Sequence, residues 1–233
     1  MKVTQALKPG PGPQPAVFTL YAAFAAAGGD RRISDTERSH AADAAILALQ
    51  STDASVRGIY TVTGYRHDAD LLLWLVGPSA DGLQDALIAF RHTRLGRALD
   101  PFWSAIGAHR EAEFTKDHAP AFYCGDPPRQ YVCVYPFVRT HDWYLLPPED
   151  RAEMLAEHGR MGRDFPQVRA NTVSGFALGD YEWLLAFEAD ELTPIVDLMR
   201  HLRGAHARLY TRHELPFLTG RRRALADAAA DLP

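Results

Sequence analysis

The chain of 233 residues is 47% hydrophobic and 23% charged, a globular profile long enough for one large domain or two of about 100 residues. Its net charge of -4 offers no basic field for nucleic acid, and no apolar run approaches the ~18 residues of a membrane span. The two cysteines, Cys124 and Cys133, form no C-x-x-C, which argues against a zinc ribbon, a thioredoxin-type site and covalent c-type haem. Free thiols and the lack of a membrane span lead us to expect a cytoplasmic protein. Lysine occurs only at Lys2, Lys8 and Lys116, so arginine supplies the rest of the 25 basic residues. An arginine fork can bind both oxygens of a carboxylate.

Residues 1–15 are rich in Pro and Gly and read as a flexible arm. A first strand follows over about Ala16 to Ala25. Its stretch AVFTLYAAFAAAGG resembles a signal-peptide core, but the preceding Pro/Gly leader favours a strand. Ser34 and Glu37 make a capping box ahead of a helix. RGIYTVTGY and DLLLWLV are strand-like runs separated near His67 and Asp68, and ADGLQDALIAFRHTRLGRAL is a second helix.

The order β-α-β-β-α then recurs. QYVCVYPFVR is a strand, and PPEDRAEMLAEHGRMGRD is a helix with prolines and acids at its start. VRANTVSGFAL and YEWLLAFEA are strands joined near Gly179 and Asp180, followed by the helix ADELTPIVDLMRHLRG. The halves also align by residue, with Arg91-His92 against Arg200-His201. This internal repeat of about 110 residues predicts an α+β fold of two ferredoxin-like repeats, β-α-β-β-α-β. The sheets would pack into a barrel-like core with helices outside. The expected boundaries are 16–112 and 129–233, joined by a linker over 113–128.

The strand in YVCVYPFVRTHDWYLLP carries the first chemical signal. Alternation puts Cys133, Tyr135, Phe137 and Arg139 on one face, and Val132, Val134, Pro136 and Val138 on the other. The valine face reads as core. The Tyr/Arg face would line a cavity for something acidic, although an amphipathic tyrosine and a strand-end arginine satisfy the same alternation. Pro136 predicts an edge strand or a bulge. His158 shares a helical stripe with Met154, Leu155 and Met161 and has Gly159 beside it. It reads either as a helix-end histidine or as an axial ligand to a flat metal cofactor. His118 lies between the repeats, where a loop could be solvated or could cover a pocket. Arg208 sits where a late element could face the same cavity, while Arg221 to Arg223 read as a solvated run. Nothing in the chain has H-E-x-x-H spacing.

At these residues the chain resembles the coproheme decarboxylases of the chlorite dismutase superfamily. The strongest stretches are YVCVYPFVRTHDWYLLP, MLAEHG, NTVSGFALGDYEWLLAFEA, IVDLMRHLR and FWSAIGAHREAEF. The resemblance implies peroxide-dependent oxidative decarboxylation of Fe-coproporphyrin III to haem b, two propionates becoming vinyls, as a step of haem biosynthesis. It implies His158 as the proximal iron ligand, Tyr135 as the hydrogen-abstracting tyrosine and His118 as the distal base. Arg139, Trp143 and Arg208 would bind the substrate. The implied partners are other copies of the chain in a homopentamer, the porphyrin substrate and, transiently, a ferrochelatase. Arg169 keeps a chlorite-decomposing or peroxidase-like haem enzyme in view, which Tyr135 argues against. A non-catalytic haem carrier and a cofactor-free oligomerisation domain are the remaining alternatives.

Overall fold

A computed structural model of the protein describes residues 17–110 and 119–233. The first half runs β1 (Phe18–Ala26), α1 (Asp35–Gln50), β2 (Ser55–Thr61), β3 (Leu71–Gly77), α2 (Ala80–His92), α3 (Arg94–Arg97) and β4 (Leu99–Ala108). The second runs β5 (Tyr131–Arg139), α4 (His141–Leu145), α5 (Pro148–Arg163), β6 (Arg169–Ser174), β7 (Trp183–Ala189), α6 (Thr193–Leu202), β8 (Thr211–His213), β9 (Leu218–Arg222) and α7 (Leu225–Ala230). A 3-10 turn over His206–Tyr210 links α6 to β8. The β-α-β-β-α-β order therefore appears twice.

Local chemistry explains several boundaries. The Glu37 carboxylate accepts the Ser34 amide at 3.1 Å and the Ser34 hydroxyl at 2.7 Å, so the predicted capping box opens α1. Pro194 stands in the first turn of α6, where its missing N–H is harmless, and the helix starts later than its apolar pattern. The stretch from Tyr131 to Pro147 is not one strand. β5 ends at Arg139 and HDWYL forms the short helix α4, for which five residues gave too little periodicity.

The strands pair antiparallel in the order β7-β6-β4-β1-β3-β2-β9-β5-β8, and β5 also pairs with β7. The pairings thus return on themselves, with two thin seams. One is the single pair Ala108↔Ser174, the other Tyr60↔Arg222 with Thr61↔Arg221. Each seam has a glycine where a side chain would collide. A Cβ on Gly107 would lie 2.5 Å from Val173, and one on Gly220 would lie 2.9 Å from Tyr60 Cβ.

Three packed regions result. Outside the first half, α1, α2, α3 and α7 cover one face of β1 to β3, using Leu49, Leu83, Phe90 and Leu225. Helix α7 thus packs with the first half, although the repeat boundary assigned it to the second. Between the halves lie Tyr21, Tyr60, Trp74, Phe122, Val132, Val134 and Leu218. Outside the second half, Cys133, Tyr135, Leu185 and Phe187 meet Ile195 and Leu198 of α6.

The region between the halves also holds charge. Arg57 and Glu188 pair at 2.7 Å with side chains only 6% and 0% exposed. Arg57 also donates to the Asp126 carbonyl at 2.6 Å and lies 5.2 Å from the Trp74 ring centre. Asn171 donates to Glu188 at 3.1 Å. Such a pair persists in a core because further hydrogen bonds, from Arg57 to the Asp126 carbonyl and from Asn171 to Glu188, add to the ion pair, although Arg57 Nε has no partner among the described residues.

Candidate functional site

β5 divides its residues as alternation predicts. Val132 and Val134 enter the shared core, while Cys133 and Tyr135 face the helices of the second half. Pro136 is not on an edge strand: β5 pairs with β7 over Tyr131 to Phe137 and with β9 or β8 on its other side. The β9 pairing stops at Val134, and the β8 pairing begins at Val138 with a register shift to Arg139. Residues 135–137 face the gap, and a proline there leaves no N–H without a partner. Residues 214–217 connect β8 to β9 across it.

At this gap a cleft, partly open to solvent, lies between β5, α5, α6 and the 207–214 segment. Tyr135, Phe137, Arg139, His158, Met199 and Arg208 line it, together with Arg203 and Glu214. It lies on the outer face of the second half, not in a cavity shared by the two sheets. The aromatic side chains of Tyr21, Tyr60, Trp74 and Phe122 fill the space between them.

Tyr135 is 5% exposed. Its ring stacks on Phe217 with centroids 4.6 Å apart, and its hydroxyl donates to Met199 Sδ at 3.7 Å. Burial holds the phenol well above the usual tyrosine range, and the Glu214 charge adds to this, while Arg203 and Arg208 oppose it. The phenol therefore keeps its proton at neutral pH.

Arg139 is fixed from several sides. Nη1 donates to the Ala207 carbonyl at 2.7 Å and to Thr211 at 3.4 Å, and its backbone N–H donates to Glu182 at 2.7 Å. Its guanidinium lies 4.3 Å from the Trp143 ring centre and 5.0 Å from that of Phe137. Burial pushes its pKa below the ordinary arginine value. Trp143 is buried but is not among the side chains lining the cleft; it supports Arg139 from behind and packs on Tyr210.

Helix α5 brings His158 to the cleft half-buried. A Cβ on Gly159 would meet only Arg163, at 3.8 Å, so the described residues impose no steric need for this glycine. One residue before His158, Glu157 accepts the His206 amide at 2.8 Å and contacts His206 Nδ1 at 2.8 Å. This ties α5 to the turn that carries Ala207 and Arg208. Arg208 pairs with Glu214, which also pairs with Arg203 at 2.8 Å. Arg203 and Glu214 were missed in the sequence. Arg203 sits at a helix C-cap and Glu214 in a loop, where periodicity assigns no face.

Arg169 donates to the Pro127 carbonyl at 2.6 Å, lies 3.8 Å from Asp126 and does not line the cleft. His118 lies outside the described residues. Among the described residues no cluster of three or more His, Cys, Asp or Glu could hold a metal ion, and no helix is long and apolar enough to cross a membrane. The donor set instead suits an organic ligand with acidic groups: a half-buried imidazole, a protonated phenol, apolar walls and three arginines.

A sequence profile of the chlorite dismutase family matches residues 38–223. The coproheme decarboxylase of Mycolicibacterium smegmatis is 48% identical over 219 residues, 93% of this chain and 94% of that protein. The chlorite dismutase of Candidatus Nitrospira defluvii shares the fold. A variant in complex with cyanide has a TM-score of 0.82 at 20% identity, covering 92% of this chain and 93% of that one. The complex with imidazole has a TM-score of 0.81 at 21% identity, covering 91% and 93%. With most of its length matched by the profile and nearly half its residues shared with a full-length relative, the chain belongs to the chlorite dismutase family.

Proposed function

We propose that this protein decarboxylates Fe-coproporphyrin III to haem b with hydrogen peroxide as oxidant. The observation that carries the reading is the meeting of Tyr135, His158 and three arginines in one cleft of a chain so similar to a coproheme decarboxylase. For each propionate, R–CH2–CH2–COO⁻ + H2O2 + H⁺ gives R–CH=CH2 + CO2 + 2 H2O. The reaction occurs twice. The iron porphyrin is both substrate and seat of the oxidising equivalents.

The protein's own groups bind, orient and move hydrogen. His158 binds the iron through one imidazole nitrogen. Arg139 and Arg208 hold propionates, with Trp143 keeping the Arg139 guanidinium in place. Tyr135 would first give up its phenolic hydrogen to the oxidising equivalents that peroxide supplies, and then, as the neutral radical, take a hydrogen atom from a propionate and return to the phenol; its burial disfavours the phenolate. On a fully extended strand Tyr135 and Arg139 would lie ~13 Å apart, a span over which they could address different carboxylates of one ring. His118 serves as the distal base that shuttles a proton between peroxide oxygens. Other copies of the chain complete a homopentamer.

Titration with ferric coproporphyrin III tests the reading. The wild type gives a histidine-ligated Soret band that His158→Ala abolishes. Stepwise peroxide then removes CO2 and two hydrogens from the ring once, then again, as read by mass. Absence of the band overturns every haem-based reading, and a band without those mass losses leaves a haem carrier. Oxygen release from added chlorite without ring decarboxylation would place the chain with the chlorite-decomposing enzymes.

A further inference from the structure

Glu214 is the one carboxylate among the described side chains lining the cleft. Its side chain is 16% exposed, and it holds two of the cleft's three arginines. Oε2 accepts from Arg203 at 2.8 Å, and Oε1 faces Nη1 of Arg208. The three residues come from separate pieces of chain: the C-cap of α6, the 3-10 turn fixed by Glu157, and the connection between β8 and β9. Their meeting therefore joins three consecutive elements within twelve residues and is not a single turn. Arg139 differs, because neutral oxygens of Ala207 and Thr211 orient it and leave its charge to pair with an acidic ligand.

Two guanidinium groups facing one cleft repel each other, and a carboxylate between them removes that repulsion and fixes both forks. A ring carboxylate offers the same charge and the same pair of oxygens. Both carboxylates cannot stay beside the same arginines without a like-charge penalty. Glu214 belongs to the connection between β8 and β9 and lines a cleft that is partly open to solvent.

We propose that Glu214 stands in for a substrate carboxylate, pairing with Arg203 and Arg208 until the porphyrin arrives and then yielding one or both to a carboxylate of the ring. The proposal rests on the porphyrin reading above. It makes Glu214 a specificity-determining residue: it keeps the arginines in place but lowers the affinity for the acidic ring.

The test uses zinc coproporphyrin III, fluorescent and without redox turnover, titrated against the full-length protein. Glu214→Gln removes the competing charge and is expected to bind about tenfold more tightly, equivalent to ~1.4 kcal/mol. Equal or weaker binding by a folded Gln variant overturns the exchange and assigns Glu214 a structural role. Should the wild type itself bind no ring, the porphyrin reading falls first and takes this one with it. Should the Gln variant not fold, a structure of the wild type with zinc coproporphyrin III decides. A ring carboxylate within hydrogen-bond distance of Arg203 or Arg208, with Glu214 detached from that arginine, supports the exchange. Glu214 still holding both arginines overturns it.

Discussion

Replacing Tyr135 with phenylalanine separates the chemistry of the site from its architecture. Among the described residues the hydroxyl has one hydrogen-bond partner, the thioether of Met199 at 3.7 Å, a weak acceptor. The ring rests on Phe217 at 4.6 Å and on Phe187 at 5.9 Å, contacts that phenylalanine keeps. Removing the hydroxyl therefore changes stability by less than ~1 kcal/mol. For a chain of this size that is a Tm shift of no more than about 4 °C. Binding of ferric coproporphyrin should be unchanged, since in the proposed function arginines and His158 hold the ring. Turnover should fall by at least ~100-fold, the lower end of what a positioned hydrogen-transfer group contributes. Thermal melts, Soret titration and mass-resolved peroxide turnover check the three parts. Normal haem b formation by Tyr135→Phe would falsify the assigned chemistry. A folded variant that no longer binds the ring would instead show that the hydroxyl acts in binding.

Three further outcomes are expected. Glu188→Ala leaves Arg57 charged in a pocket where its side chain is 6% exposed, and should cost about 3–5 kcal/mol in urea unfolding. A loss under ~1 kcal/mol would mean that water reaches the pair. Trp143→Ala should weaken ring binding by about fivefold to tenfold through a loosened Arg139, as expected for loss of a partly desolvated cation–π contact. Unchanged affinity would show that Ala207 and Thr211 alone position the guanidinium. Finally, burial raises the phenol pKa of Tyr21, Tyr60 and Tyr135 in the folded protein. The unfolded chain loses these protons from about pH 10 while the folded chain retains them. Their stabilising contribution is thus complete below about pH 10 and falls above it by ~1.4 kcal/mol per pH unit for each tyrosine. Urea midpoints between pH 8 and 11 should show this decline, with a shallower slope in Tyr60→Phe. Identical slopes would mean that the Tyr60 hydroxyl titrates normally.

Much of the molecule is legible in the linear chain because it depends on local or periodic chemistry. Ser34 and Glu37 start a helix whatever surrounds them, Pro194 delays one, and two-residue alternation sends Val134 and Tyr135 to opposite faces. The repeat between residues 56–76 and 168–188 fixes the doubled α+β order, since one supersecondary unit needs one pattern of apolar positions. The stretches around Tyr135 and His158, taken together with NTVSGFALGDYEWLLAFEA, IVDLMRHLR and FWSAIGAHREAEF, reveal the family, because several motifs fall in one order.

The tertiary structure decided where those faces lead. Alternation says that Tyr135 and Arg139 share a side, but not whether that side looks between the sheets or toward the helices. Packing volume settles this: Tyr21, Tyr60, Trp74 and Phe122 fill the space between the halves, so the cleft opens on the outer face. Pro136 rules out one hydrogen bond, and only the partner strands show that the missing bond falls between β9 and β8. Trp143, Arg203 and Glu214 belong to a short helix, a C-cap and a loop, where no period assigns a direction. Their roles arise from contacts that cross element boundaries, Trp143 against Arg139 four residues earlier, and Glu214 against Arg203 and Arg208, eleven and six residues earlier. Charge pairing in three dimensions sets these, and no spacing in the chain encodes them.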